Sequence, residues 1–408
     1  MLLCVPLFSR DVYAYIGQGR LMLEGMNPYE QGISALPNYY RLGPDLMWTE
    51  APVPYGQLFL WMASIAVGLT VVQPELSILL LRLASVIGVV LSAYYIHRLT
   101  VHVRGYPART LWLTAANPLF LTNFIASAHN DSLMVGLALA GLYYCLKGSA
   151  IRGVALATLA ISIKPIALIF LPFIGLIWAG RRAGWSRKLF YWASTATMSF
   201  SFLALLGWMA GIGFGWINGI FDRGSLWIWY APVGLAGGIA AAAGNLLELD
   251  GGQLMSWVHR LGKIASLVIV VWQILRGSYD RLLHRLAIAL AAVVLLSPMI
   301  QSWWVLWFLP LLAVIGIRDG GQTKAVYIVT IFFMVYAISD QLDVFPYMHP
   351  ENLAWPLAIA RILAATLSLS AGLWLVFFDP RTKHMFHSHH QQASRRLQSQ
   401  PTGTDYRA

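Results

Sequence analysis

Ser9-Arg10-Asp11-Val12-Tyr13-Ala14-Tyr15 sets a carboxylate beside a guanidinium, directly after the apolar lead-in Met1 to Phe8. An aspartate in that setting is either an ion-paired helix cap or a catalytic base. An Arg10–Asp11 pair would hold the carboxylate ionised but weaken it as a base. The choice turns on where the remaining residues put this acid.

The 408 residues are 58% hydrophobic and only 11% charged, with a mean hydropathy of +0.63. A soluble domain carries about 25% charged residues, so the chain reads as a polytopic membrane protein. Its apolar runs are continuous rather than alternating, which selects spanning helices over a barrel. The net charge of +11 is then a question of which loops hold Lys and Arg, and implies no nucleic-acid partner. Cys4 and Cys145 stand in apolar surroundings without a spacing partner and read as two small buried hydrophobes. Residues 1–8 are too few to span and read as the tail of a helix that begins upstream.

After Asp11 comes a polar-aromatic stretch, 9–55, with Asn27-Pro28-Tyr29, Pro37-Asn38-Tyr39-Tyr40 and Ala51-Pro52-Val53-Pro54-Tyr55-Gly56. The apolar run 56–73 is marginal in length. If it is re-entrant, spans follow at about 76–98, 110–127, 131–147, 151–163, 165–180 and 188–210. A second re-entrant segment then lies near 226–246, with further spans at about 255–276, 284–298, 302–317, 324–339 and 354–377. On that assignment 19 of the 28 basic residues share one side with four of the 17 acids. The positive-inside rule makes that side cytoplasmic and puts Asp11 outside. The expected architecture is an all-α bundle of about 11–13 transmembrane helices forming one domain over 1–378. Residues 9–75 form its first outer loop, and a disordered basic cytoplasmic tail follows over 379–408.

Several polar groups collect at the outer ends of the spans. His129-Asn130-Asp131 links two of them, Lys164-Pro165 breaks a stretch too short to cross twice, Asp222-Arg223 follows a Gly/Trp-rich turn, and Gln301-Ser302-Trp303-Trp304 follows Ser297-Pro298. Each has a bland reading: a helix N-cap at Asp131, a snorkelling Lys164, a loop ion pair at Asp222-Arg223, and lipid-belt aromatics at Trp303, Trp304 and Trp307. Ionised groups inside spans are expensive and usually line a wet cavity, so their convergence with Asp11 points to a site.

One carboxylate, nearby cations and an apolar wall suit a particular chemistry. Glycosidases need two carboxyls. A sugar leaving from a phosphate needs no acid, because cations stabilise the departing anion, and one base suffices for the attacking hydroxyl. In-line attack inverts the anomeric centre. An apolar wall suits a donor carried on a polyisoprenyl chain.

Ser9 to Tyr15 with Gly19-Arg20 and Asn27-Pro28-Tyr29, then Trp48 with Ala51 to Leu60, then Asn117-Pro118-Leu119 and His129-Asn130-Asp131-Ser132-Leu133 to Leu137, carry a resemblance. They resemble the polyprenyl-phosphomannose-dependent alpha-1,6-mannosyltransferases of the GT-C glycosyltransferase superfamily. The resemblance is close to about residue 175 and looser from there to the last span. It implies a GT-C-type polytopic fold, a catalytic aspartate in the first outer loop at Asp11, a polyprenyl phosphomannose donor, a glycan or glycolipid acceptor and no nucleotide sugar; it does not imply metal dependence, and no cofactor is expected. The expected site, on the extracytoplasmic face of the plasma membrane, has Lys164 and Arg223 on the donor phosphate. Arg10, Tyr13, Tyr15, Tyr55, His129, Asn130, Asp131, Gln301, Trp303 and Trp304 surround the sugar and acceptor. Two departures stand out: the nearly absent first span, and Ala126-Ser127-Ala128 where glycines are expected before the histidine. The rival readings are a transporter or flippase of a lipid-linked sugar, whose paired inverted halves are not evident here, and a GT-C transferase using another polyprenyl-phosphate sugar.

Overall fold

The computed structural model describes residues 1–7, 9–45, 48–217, 226–317, 320–340 and 354–380, and among these the regular structure is helical with no strand. The chain divides into two compact units, Met1–Ile315 and Gly316–Ala408. Among the described residues four helices are long and apolar enough to cross a membrane, within Pro74–His102, Trp185–Ala210, Gly251–Leu275 and Ala358–Phe377. This is an all-α polytopic membrane protein. Arg223, Asp222 and the tail beyond residue 380 lie outside the described residues.

The first unit opens with a departure from expectation. Residues 1–7 are not helical. Pro6 has no N–H to give, and the carbonyls of Leu2 and Cys4 that a helix would use accept instead from the Arg82 guanidinium. Cys4 is accordingly half-buried, while Cys145 is buried. Within the loop 9–55 the chain forms α1 (Asp11–Leu23). It then makes two 3-10 turns before α2 (Gln57–Leu69). At 1.5 Å per residue, the 13 residues of α2 reach about 20 Å, short of a bilayer core of about 30 Å. α1 lies on α2 where Gly19 meets Ala63: a Cβ on Gly19 would sit 2.6 Å from the Ala63 carbonyl oxygen.

α3 (Pro74–His102) starts on Pro74 at its first position and runs 29 residues, the longest element. The following apolar run, read from sequence as one span over 110–127, is broken into α4 (Pro107–Leu113), α5 (Pro118–Leu121) and a π-helical turn, Thr122–Ala126. Proline explains the break. Asn117 is held extended ahead of Pro118 and caps the new helix by accepting from the Leu119 N–H at 2.9 Å. α6 (Asp131–Leu146), α7 (Ala150–Ile163) and α8 (Phe170–Ala179) follow. α9 (Trp185–Ala210), α10 (Pro232–Leu246) and α11 (Gly251–Leu275) come next. α12 (Leu282–Leu295) and α13 (Leu309–Ile315) complete the unit. Outward side chains of α9 and α11, including Phe200, Trp208, Leu261, Ile264 and Leu267, are exposed as a lipid-facing surface requires.

Small residues let the central helices touch. A Cβ on Gly88 of α3 would lie 2.3 Å from the Leu133 nitrogen of α6, and one on Gly136 would lie 2.8 Å from the Gly88 carbonyl oxygen. Gly141 and Gly153 make the same contact between α6 and α7. Such close approach is how apolar helices associate where lipid supplies no hydrophobic drive. Gly88→Val therefore has to push backbone rather than a side chain, and overpacking of this kind costs about 1–3 kcal/mol. A lower thermal midpoint in detergent is the expected result. Because α6 starts only two residues before Leu133, activity should fall with it.

The second unit contains α14 (Gly321–Asp340) and α15 (Ala354–Phe377), packed on each other. Lys324 holds its ammonium 4.7 Å over the Phe377 ring, and Phe332 stacks on Tyr336.

Candidate active site

Asp11 is the first residue of α1 and is buried, with its own N–H donating to the Ser9 hydroxyl at 3.2 Å. Its carboxylate faces His129, Oδ2 to Nδ1 3.6 Å, and the Tyr15 hydroxyl lies 3.3 Å from the same nitrogen. Asp11 and Tyr15 are four residues apart, so one helical turn aims both at one ring. The imidazole is fully buried and stacks on Trp303 at 3.8 Å between centroids. Burial first, and the nearby Lys164 ammonium second, hold His129 well below its ordinary pKa. A neutral imidazole places no positive charge against Asp11, so this contact does not blunt the carboxylate as a base.

The second half of the cluster is an ion pair. Lys164 Nζ sits 2.9 and 2.8 Å from the two oxygens of Asp131, whose Oδ1 also accepts from the Trp307 indole N–H at 2.5 Å. Both bland readings from sequence are corrected here. The residue at the N-cap position of α6 is Asn130, and Asp131 spends its oxygens on Lys164 and Trp307. Lys164 does not reach for headgroups: it is buried, between the rings of Tyr55 and Trp307, each 5.4 Å away. Its position follows from Pro165, which forces the preceding residue into extended backbone (φ −144°, ψ 118°) and ends α7 at Ile163.

Tyr55 joins the two halves. It packs edge-on to Tyr15 at 5.4 Å and lies under Lys164. Its carbonyl accepts from the Tyr29 hydroxyl at 2.8 Å. Gly56 then donates to the Ile163 carbonyl at 3.1 Å, and a Cβ there would sit 2.3 Å from the Ser162 carbonyl oxygen. The first loop is thus clamped to the end of α7 beside Lys164.

The turn before His129 is fixed from three directions. Arg82 donates to the Ala126 carbonyl at 2.7 Å, Ser127 donates to the Leu7 carbonyl, and Ser302 donates to Asn123 Oδ1 at 2.7 Å. Single π turns of this kind are frequent at functional sites. Ala128 sits at φ +58°, in the left-handed region that favours glycine, at the place where the sequence departs from the expected glycines.

The structure therefore brings together Asp11, Tyr15, Tyr55, His129, Asp131, Lys164 and Trp303. Asn130 is buried beside them, and neither atom of its amide has a hydrogen-bond partner among the described residues. Tyr13 is on the other side of α1, half-buried and in the field of Arg82 and Arg10. Arg10 reaches Asp45 at 4.0 Å. Gln301 is half-buried and its carbonyl closes the turn to the Trp304 N–H, while Trp304 stacks on Trp307. Trp303 and Trp307 are both buried, so neither is a lipid-belt residue. Trp307 and Arg82 were not among the expected site residues. Among the described residues no group of three His, Cys, Asp or Glu could hold a metal ion.

Residues 1–180 match the family model described as alpha-(1->6)-mannopyranosyltransferase, N-terminal domain, and residues 233–371 match the MptB C-terminal domain. An alpha-(1->6)-mannopyranosyltransferase of Mycobacterium tuberculosis is 28% identical, over 92% of this chain and 73% of its own. Alpha-(1->6)-mannopyranosyltransferase A of the same organism is 32% identical over 75% of this chain and 61% of its own. Alpha-(1->6)-mannopyranosyltransferase B of Corynebacterium glutamicum is 26% identical over 93% and 66%. A polytopic helical chain with these relatives is a membrane-bound glycosyltransferase. More narrowly, it belongs to the alpha-(1->6)-mannopyranosyltransferase family.

Proposed function

We propose that this chain transfers mannose from polyprenyl phosphomannose to a hydroxyl of a glycan or glycolipid, with inversion, at an extracytoplasmic site, and that the new linkage is alpha-1,6. The observation that carries the reading is the single buried cluster in which Asp11 and Lys164 stand on either side of the Tyr15–Tyr55 pair. A base at one end and an ammonium at the other match an acceptor hydroxyl and a leaving phosphate.

In the proposed step the acceptor oxygen attacks the anomeric carbon as Asp11 takes its proton. The carbon–oxygen bond to phosphate breaks on the opposite face, and the phosphate leaves with the electron pair. Asp131 occupies two of the three N–H groups of Lys164, so the third is the one offered to the phosphate. Tyr55, Trp303 and the Asn130 amide bound the sugar, and the apolar surroundings admit the isoprenoid tail. A transporter reading fits less well, because the relatives that match most of this chain are named as mannosyltransferases.

The test is donor choice. Purified chain in vesicles should move radiolabelled mannose from polyprenyl phosphomannose into acceptor, and give none from a nucleotide sugar. Uptake of the lipid-linked sugar without product would replace the reading with transport.

A further inference from the structure

α8 leads away from Lys164 and ends at Ala179, where Gly180 (φ +93°) turns the chain. There the end of α8, the start of α9, the end of α11 and the start of α12 enclose a cavity of about 330 Å3. Its walls include Arg181, Lys188, Trp192, Tyr279, Asp280 and Arg285. The proposed transfer uses none of these residues.

Charge defines half of the ligand. Arg285 is buried and committed: it donates to the carbonyls of Gln273 (2.7 Å), Ile274 (3.0 Å), Gly277 (3.2 Å) and Ser278 (3.3 Å), closing the C-terminus of α11. It builds the wall. Arg181 and Lys188 are the cations an anion could engage. Arg181 pairs with Asp280 at 2.6 Å, but the two side chains are 70% and 59% exposed, and an exposed pair is weak enough for a phosphate to compete. The Lys188 ammonium lies 4.9 Å over the Trp185 ring, which leaves its N–H groups able to reach an acceptor.

Depth defines the other half. The cavity sits at the first turn of α9 and the last turn of α11, two of the helices long enough to cross a membrane. Cations stacked on aromatic rings mark the same level: Lys188 on Trp185, Arg187 on Tyr191 at 5.7 Å, and Arg276 on Trp272 at 4.4 Å. Trp185 and Trp272 are both more than half exposed. Amphipathic rings with cations at helix ends belong at headgroup depth. Below the rim, Leu189 and Phe190 of α9 and Leu267 and Val268 of α11 present exposed apolar surface.

We propose that this cavity holds the phosphate headgroup of an anionic phospholipid between Arg181 and Lys188, with the acyl chains along the outer faces of α9 and α11. A soluble phosphate ester shares the head chemistry and lacks the apolar half. The full chain, purified in mild detergent, is loaded with phosphatidylglycerol or phosphatidylcholine, and bound lipid is counted by native mass spectrometry. Phosphatidylglycerol is expected to be retained at least about tenfold over phosphatidylcholine, with about a fivefold loss for each of Arg181→Gln and Lys188→Gln. Asp280→Asn should raise retention by releasing Arg181, a gain that no loss of folding produces. Millimolar glycerol phosphate should not displace the lipid. Equal retention of the two lipids, or retention unchanged in both glutamine variants, would overturn the site. Displacement by glycerol phosphate would overturn the lipid assignment in favour of a soluble ester. None of these readouts depends on mannosyl transfer.

Discussion

Asp11→Asn is expected to lower transfer by about 10²–10⁴-fold, the usual contribution of a general base, with the protein still folded and still able to bind donor. Asparagine keeps the shape and the contact with His129 while removing the proton acceptor. The N–H of residue 11 donates to the Ser9 hydroxyl, and the substitution leaves that bond at the start of α1 in place. Turnover near that of the unsubstituted chain, with a normal melting profile, would reject Asp11 as the base.

Lys164→Ala is expected to be the most damaging single change to stability. It leaves the Asp131 carboxylate buried with the Trp307 N–H but without its cation. Removing one partner of a buried pair costs about 3–5 kcal/mol. Loss of activity in that variant would not separate folding from chemistry. Lys164→Met together with Asp131→Leu removes both charges, and replacing a buried pair by apolar residues is often near neutral. The Trp307 N–H then loses its acceptor, at about 1–3 kcal/mol. The double variant should therefore recover most of the lost melting temperature. Its donor affinity should stay at least about tenfold down, with acceptor affinity little changed. Equal losses for donor and acceptor would deny Lys164 a role at the phosphate.

Much of this cluster was legible because polar residues are costly in an apolar chain and seldom idle there. Asp11, His129, Asp131 and Lys164 each stand next to a break in hydropathy, and Pro165 marks Lys164 as the end of a helix. What could not be read was who pairs with whom. Asp131 and Lys164 are separated by the whole of α6 and α7, so their contact exists only once Gly141 and Gly153 let those helices close. Trp307 looked like an interfacial aromatic because a tryptophan in an apolar run carries no mark of what its N–H will meet. Arg82 counts as one more cation until the fold shows it binding the carbonyls of Leu2, Cys4 and Ala126. The break at Pro118 was missed for a related reason. Hydropathy runs unbroken across it, whereas the backbone rule for the residue before proline does not.

The account rests on one direct displacement at the anomeric carbon, with Asp11 taking the proton and phosphate leaving opposite. The measurement that tests it most directly is the anomeric configuration of newly transferred mannose, read by NMR against that of the polyprenyl-phosphate donor. Opposite configurations, with no mannosyl group trapped on the protein, are the predicted result. Retained configuration, or label found covalently on a carboxylate, would contradict it.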